Sequence, residues 1–270
     1  MNKFTYKEYD YVQEILKKGF ITKYNYYESS LLCKFWASLG ISKKDVEDNL
    51  VDFCLLYTSN FNYALEYKTI DRAVSSAFGD RGKLIQIDSV PIYKHEFDYI
   101  NNINIAQNYK RLMFSFLVLK KIHSAIWKIN SGEDKLSGYL NGNTKQATML
   151  KDMAHLSGGK KDDIDFMIYD LGENGYINRL ALGKDYLVFI DELKKQTSDK
   201  LFDVSDFEKV WLYFDHFSGY RKSGKIMICK MCGKPEIHTS KAKVPMYCSD
   251  CKKKRRKIAY DKYNKKKQNK

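Results

Sequence analysis

Proline is scarce in this chain, with 3 prolines among 270 residues. Because proline interrupts helices, its scarcity favours a mainly helical fold. The sequence also lacks any apolar run of about 18 residues, which a membrane-spanning helix requires. Its first residues lack the apolar core of a secretion signal. Together these absences predict a soluble, cytoplasmic protein.

Acidic residues are few at one end of the chain. Residues 221–270 hold 18 Lys and Arg but 3 Asp and Glu, a charge of +15, whereas the whole chain has 47 basic and 33 acidic residues. The rest of the chain, 1–220, therefore holds 29 Lys and Arg against 30 Asp and Glu, a charge of −1. With 44% hydrophobic and 14% aromatic residues, the chain as a whole is expected to fold as a globular protein. A nearly neutral body thus carries a basic end.

Apolar residues recur at helical spacing through residues 1–88, and this predicts an N-terminal helical module. Thr5 and Ser42 stand where helix caps are expected, since each precedes an acidic residue by three positions. Residues 84–88 alternate between apolar and polar side chains, as a strand does. The module is expected to contain four helices followed by this strand.

Residues 92–192 are predicted to form a second, winged-helix-like domain. Its longest helix is expected over 105–129, followed by helices over 144–156 and 160–174 and by strands over 176–182 and 186–190. A helix, a turn, a second helix and a hairpin, in that order, resemble a winged helix. The predicted fold class is mainly α, with this domain in the middle.

The remaining sequence divides into a connecting segment and a small C-terminal domain. Residues 193–224 are predicted to form one helix, capped by Ser205, and a short basic linker. Residues 225–270 contain four of the six cysteines and the basic tail. The other two, Cys33 and Cys54, lie singly in apolar helical segments and are interpreted as buried thiols.

Two Cys-x-x-Cys pairs predict a structural zinc site, with fifteen residues between the pairs. The expected ligands are Cys229, Cys232, Cys248 and Cys251. The alternatives are iron bound as in rubredoxin, a disulfide pairing, or His238 in place of one cysteine. Four thiolates leave no open position for water on the metal, so the predicted zinc is structural and not catalytic.

The segment around these cysteines resembles a treble-clef zinc finger. In such fingers a knuckle and a hairpin provide two ligands and the first turn of a helix provides the other two. The resemblance covers about thirty-five residues, and its motif is carried by Cys229, Cys232, Gly233, Lys234, Tyr247, Cys248 and Cys251. It implies a bound metal but no particular function.

The basic tail after Cys251 predicts contact with nucleic acid, DNA or RNA. Cationic side chains that neutralise phosphates release counterions, which makes such binding strong and dependent on salt. Tyr260 and Tyr263 could stack on bases. A disordered, solubilising tail is the alternative. The expected contacts are Lys252, Lys253, Lys254, Arg255, Arg256 and Lys257.

No catalytic arrangement of residues is visible, and a non-enzymatic protein is predicted. Asp162, Asp163 and Asp165 could be imagined as a carboxylate metal site, but acidic residues are favoured in the first turn of any helix. The acidic face of this predicted helix would be repelled by the major groove of DNA. The winged-helix-like domain would then contact DNA by another face or bind a protein.

Taken as a whole, the order of segments resembles that of uncharacterised phage and mobile-element proteins of Gram-positive bacteria. That resemblance implies a phage-type role but no established activity, and it transfers no functional residues beyond the cysteines. The expected function is a zinc-containing nucleic-acid-binding protein that regulates transcription or replication. The alternative is an adaptor or inhibitor that binds a host protein or complex through its body. No membrane partner is expected.

Overall fold

The computed structural model describes residues 6–22, 24–80, 82–141, 144–157, 163–180, 184–220, 222, 224–238 and 244–268. Eleven helices and seven short strands lie within these ranges, so the fold is mainly helical, as predicted. The chain forms two compact units. One comprises Met1–Asp88 and Ile122–Leu136, and the other comprises Ser89–Lys121 and Ser137–Lys270. The predicted finer division into four segments stays a prediction.

Four helices lie in the Met1–Asp88 part of the first unit, as the periodicity predicts. They are α1 (Glu8–Lys18), α2 (Tyr26–Ser38), α3 (Lys43–Tyr57) and α4 (Tyr63–Ala77). Ser42 accepts a hydrogen bond from the amide of Asp45 and so caps α3 as expected, whereas Thr5 lies outside the described residues. Cys33 and Cys54 are buried in the core between these helices, as predicted.

The strand predicted over 84–88 is wrong. Gln86 forms an isolated bridge with Lys7, and the strand β1 (Val90–Tyr93) begins two residues beyond the predicted end. β1 pairs antiparallel with β5 (Lys200–Val204). Helix α5 (Lys94–Asn102) follows β1 directly. Because the partner of β1 lies more than a hundred residues away along the chain, no local pattern indicates this ladder.

A helix-rich segment with a three-stranded sheet follows. Its elements are α6 (Gln107–Ser131), β2 (Tyr139–Asn141), α7 (Thr144–Ala154), α8 (Ile164–Glu173), β3 (Ile177–Leu180) and β4 (Lys184–Leu187). The sheet order is β2-β4-β3, and both pairs are antiparallel. The predicted hairpin is therefore confirmed, but its second strand ends at Leu187, because α9 (Val188–Lys194) begins there. The predicted start of the second helix, 160–162, lies outside the described residues.

The C-terminal part contains α10 (Val210–Ser218), the hairpin of β6 (Lys225–Ile228) and β7 (Pro235–His238), and α11 (Ser249–Gln268). The capping role predicted for Ser205 is wrong: α10 begins at Val210, and Ser205 forms a hydrogen bond elsewhere. Phe214 of α10 packs against Phe97 and Phe114 in the core of the second unit. Within the described ranges, no helix is both long and apolar enough to cross a bilayer.

Candidate metal centre and basic helix

The first cysteine pair lies in a tight knuckle, residues 229–233, at the tip of the β6–β7 hairpin. The Cys229 amide donates to the Lys234 carbonyl at 2.9 Å, and the Gly233 amide donates to the Cys229 carbonyl at 2.9 Å. Gly233 has φ +71°, which glycine adopts without strain. A Cβ atom here would also lie 3.0 Å from the Ser205 hydroxyl oxygen. Conformation and close packing both favour glycine at this position.

The second pair straddles the start of α11. Cys248 lies one residue before this helix, and Cys251 lies in its first turn. The Cys251 amide donates to the Cys248 sulfur at 3.4 Å. The Lys230 amide donates to the Met246 carbonyl at 3.0 Å and so ties the knuckle to the segment before the helix. The N-terminal turn of a helix therefore faces the first cysteine pair.

The four sulfur atoms come together, all within 4.8 Å of one another. Cys232 Sγ and Cys248 Sγ are 3.7 Å apart. Four thiolates at about 2.3 Å from a tetrahedral metal would be about 3.8 Å apart. Cys229, Cys248 and Cys251 are buried, with Met227 in the same small apolar cluster. The arrangement fits one metal ion.

Comparison of the chain with protein-family models, curated proteins and solved structures finds no significant match. Functional inference therefore depends on the chemistry of the sites themselves. Among the described residues, the four cysteines are the only group of three or more side chains that could hold a metal ion. His238, the alternative ligand, is not part of that group.

The thiols differ in their electrostatic surroundings. Burial alone would raise the pKa of Cys229, but hydrogen bonds from the backbone of Cys248, Cys232 and Met231 outweigh it and lower the pKa to about 6. The pKa of Cys251 is raised to about 12, chiefly by its hydrogen bond with the Cys248 side chain and also by burial. Backbone dipoles thus favour one thiolate, and holding several thiolates together requires a cation between them.

Two residues from outside the hairpin support the knuckle. The Tyr213 hydroxyl group, fully buried, donates to the Gly233 carbonyl at 2.8 Å. The same oxygen accepts hydrogen bonds from the amides of Ser205 and Asp206, at 3.1 and 3.2 Å. The Ser205 hydroxyl donates to the Cys232 carbonyl at 3.1 Å. Sequence reasoning missed Ser205 and Tyr213, because no spacing signal relates them to the cysteines.

The predicted nucleic-acid contacts all lie on α11, directly after Cys251. Every side chain from residue 252 to residue 262 is exposed. Six of them are the expected cationic contacts, Lys252, Lys253, Lys254, Arg255, Arg256 and Lys257. The Arg255 guanidinium lies 4.2 Å from the centre of the Tyr247 ring and so connects the helix to the segment before it. From 252 to 262 the basic helix therefore extends beyond the four cysteines with its side chains in solvent.

The acidic residues at the start of α8 stabilise this helix. The Asp163 carboxylate accepts hydrogen bonds from the amides of Asp165 and Phe166, at 2.9 and 3.3 Å, and so caps the N-terminus of α8. Asp162 lies outside the described residues. Asp163 is thus the N-cap residue of α8, and Asp165 lies in its first turn, where the sequence predicts that acidic residues stabilise the helix.

His95 and Ser198, which are 103 positions apart in the sequence, form a side-chain hydrogen bond. His95 Nδ1 lies 2.7 Å from the Ser198 hydroxyl oxygen, and the His95 side chain lines a shallow, open surface depression. The same oxygen accepts the His95 amide at 3.0 Å and so satisfies a free N–H in the first turn of α5. These contacts hold the segment before β5 against the start of α5.

Proposed function

We propose that this protein binds nucleic acid through a basic helix held by a structural zinc ion, and that it regulates transcription or replication without being an enzyme. The observation that carries the proposal is α11. This helix begins inside the four-cysteine centre and then exposes six consecutive cations, Lys252 to Lys257. A cationic surface of this density attracts phosphates.

Zinc is the metal that the donor set favours. Four thiolates in a closed tetrahedron are typical of structural zinc, with rubredoxin-type iron as the competing occupant. The knuckle at the tip of a hairpin, and the second pair at the start of a helix, support the resemblance to a treble-clef finger. Because the set leaves no position for water or substrate, zinc in this site would support the fold and perform no catalysis.

A winged-helix-like domain over residues 92–192 is part of the proposal. Its support is the order α6, β2, α7, α8, β3, β4 with the sheet order β2-β4-β3. Helix α8 exposes Asp165 and Glu173. These carboxylates would face phosphates unfavourably in a DNA groove. We therefore place the nucleic-acid affinity in α11 and not in α8.

The decisive experiment compares the full-length protein with a truncation that lacks residues 252–270, in binding titrations at several salt concentrations. The probes are single-stranded DNA, double-stranded DNA and RNA. If about six phosphates are neutralised, affinity should fall about a thousandfold between 50 and 200 mM salt. The truncation should lose most binding while residues 1–251 stay folded. Equal binding by both proteins, or binding by neither, would contradict the proposal.

A second candidate function is a protein-binding adaptor or inhibitor with a purely structural metal centre. It is favoured by apolar side chains that α8 exposes among its carboxylates: Phe166 is 56% and Tyr169 is 48% exposed. Capture of a specific host protein by the full-length chain, abolished by Phe166→Ser but not by the 252–270 truncation, would favour this function. Capture lost only with the tail would favour nucleic acid.

A further inference from the structure

The distribution of charge around α11 points to one kind of nucleic acid. Successive residues of an α-helix are rotated by about 100°. From Lys252 as zero, the seven cations of 252–262 then lie at about 0, 40, 100, 140, 200, 280 and 300°, with no gap wider than about 80°. They are Lys252, Lys253, Lys254, Arg255, Arg256, Lys257 and Lys262, and all are exposed. The positive charge surrounds the helix on every side.

We infer that α11 binds in the major groove of double-stranded DNA; this rests on the nucleic-acid-binding function proposed above. A helix in a groove has phosphates on both walls, so cations on opposite faces of the helix can be neutralised together. The major groove of B-form DNA is about 12 Å wide and accepts a helix of about 10–12 Å diameter. The eleven residues 252–262 extend about 16 Å, or about five base pairs.

The same distribution argues against other anionic partners. A helix that lies on a bilayer needs one apolar face, but Ile258, Ala259 and Tyr260 point in three directions, at about 240, 340 and 80°. Single-stranded binders stack successive bases on several aromatic rings, whereas α11 has two aromatic residues, Tyr260 and Tyr263, and both lie beyond the six consecutive cations. Double-stranded RNA has a major groove too deep and narrow for such a helix.

The metal centre gives the helix a fixed start. Cys251 lies in its first turn, and Arg255 is stacked on Tyr247. A helix that is already formed and held at one end can enter a groove without folding during the encounter, which preserves affinity. Asp261, at about 180°, is the single acidic residue of 252–262. It lies between Lys254 and Lys257 in angle, so cations flank it on both sides.

Two matched pairs of substitutions test this placement in the full-length, metal-loaded protein. Lys252→Gln with Arg256→Gln removes two charges centred at about 20° around the helix. Lys254→Gln with Lys257→Gln removes two charges centred at about 170°, on the opposite side. The measurement is fluorescence anisotropy with a labelled DNA duplex of about two helical turns, an RNA duplex of the same sequence, and one DNA strand alone. Circular dichroism and metal analysis check that each variant is folded and loaded.

The full-length protein should bind the DNA duplex at least tenfold more tightly than the RNA duplex or the single strand. Each pair of substitutions should weaken DNA binding at least tenfold at 100 mM salt and reduce the salt slope by about 1.8. Equal affinity for the DNA and RNA duplexes, or a loss confined to one pair, would overturn the groove placement but leave nucleic-acid binding in place. Binding of no probe, or no loss in either pair, would overturn the proposed function as well.

Discussion

The Tyr213 hydroxyl group connects the knuckle, residues 229–233, to the core of the second unit. It donates to the Gly233 carbonyl and accepts the amides of Ser205 and Asp206. Burial is the main reason why the pKa of Tyr213 is raised, so the group stays protonated and able to donate. The aromatic ring contributes to the core, and the hydroxyl group positions the loop.

Tyr213→Phe should keep the ring and lose this connection. The amides of Ser205 and Asp206, which are half-buried, would lose their acceptor, and this costs at most about 1–3 kcal/mol. We expect a lower melting temperature and weaker retention of zinc against a chelator. Tyr260→Phe, at a position 66% exposed, is the matched control and should change neither. If Tyr213→Phe holds zinc as tightly as the unchanged protein does, the knuckle does not depend on this hydroxyl.

Replacing any one of Cys229, Cys232, Cys248 or Cys251 with Ser should abolish stoichiometric zinc binding. A structural zinc site contributes on the order of 10 kcal/mol to folding, and three thiolates with a hydroxyl group cannot replace it. Elemental analysis of the purified protein measures the metal directly. Cys33→Ala removes a thiol from the core of the first unit and should leave one zinc per chain. Absence of zinc from the unchanged protein, or iron in its place, would contradict the zinc assignment.

Lys120 should make stability depend on pH in the alkaline range. Burial lowers the pKa of this lysine from 10.5 to about 8, and its amino group donates to the Tyr139 carbonyl. Between pH 8 and 10.5 the unfolded chain therefore binds more protons here than the folded chain, and stability rises with pH. Below pH 8 both states carry the proton, and the cost of burying the charge is fully present.

Lys120→Met removes this titration. The difference in unfolding free energy between the unchanged protein and the variant should shift in favour of the unchanged protein as pH rises from 7.5 to 10. Denaturant unfolding at several pH values measures it, and comparison of the two proteins cancels the titration of all other groups. Parallel stability profiles across this range would show that Lys120 titrates normally.

At the residue scale, the sequence indicates the metal ligands but not their supports. Two Cys-x-x-Cys pairs are local patterns, and a tetrahedral site accounts for both at once. Ser205 and Tyr213 belong to the site through packing that brings α10 against the hairpin. No residue spacing encodes that packing. The helix cap predicted at Ser205 is wrong because Ser followed by Glu three residues later is a pattern that many segments satisfy by chance.

At the element scale, α11 is a helix that the rest of the chain must stabilise. It is 20 residues long, and from 252 to 262 it buries no side chain. Neighbouring like charges at helical spacing destabilise an isolated helix. Its first turn, in contrast, is fixed by Cys251 and by the hydrogen bond from the Lys252 amide to the Cys248 carbonyl at 2.9 Å. The metal centre is thus expected to nucleate the helix.

Removal of zinc should therefore melt α11. With a chelator, circular dichroism should lose the helical signal of the whole of α11, Ser249–Gln268. Near-ultraviolet signals from the aromatic core of the second unit, which includes Phe97, Phe114 and Phe214, should persist. The 252–270 truncation is the control, since its helical signal should change little on chelation. An unchanged spectrum for the full-length protein would show that α11 is stable without metal.

Elements defined by local patterns are predictable from the sequence, and elements defined by distant partners are not. The four helices of the first unit and the β3–β4 hairpin follow from periodicity and turns. Strand β5 escapes prediction because its ladder with β1 joins residues such as Val90 and Val204. The sequence predicts one strand over 186–190, but α9 begins at Val188, and an apolar run this short is ambiguous between the two structures.

At the scale of the whole molecule, the charge distribution can be read along the sequence, whereas the tertiary contacts join residues that are far apart in it. Charge is segregated along the sequence, so its uneven distribution is visible without a structure. The contacts that close the second unit are long-range. Arg111 Nε, for example, donates to Asp215 Oδ1 at 2.9 Å across 104 positions, with Asp215 1% exposed. Such a buried ion pair depends on tertiary packing, and so sequence alone could not indicate it.

Within the second unit, the hydrogen bonds from Ser205 and Tyr213 hold the knuckle, and the Lys230–Met246 hydrogen bond ties the knuckle to the segment that begins α11. A helix of 20 residues reaches about 30 Å. A flexible chain of the same length would have an end-to-end distance of about 25 Å, but it would point in every direction. The helix and the flexible chain therefore span nearly the same distance, but the helix has one fixed direction and the flexible chain has none. If α11 binds nucleic acid as we propose, the orientational entropy of the helix would already be lost during folding and metal binding, before the nucleic acid is met.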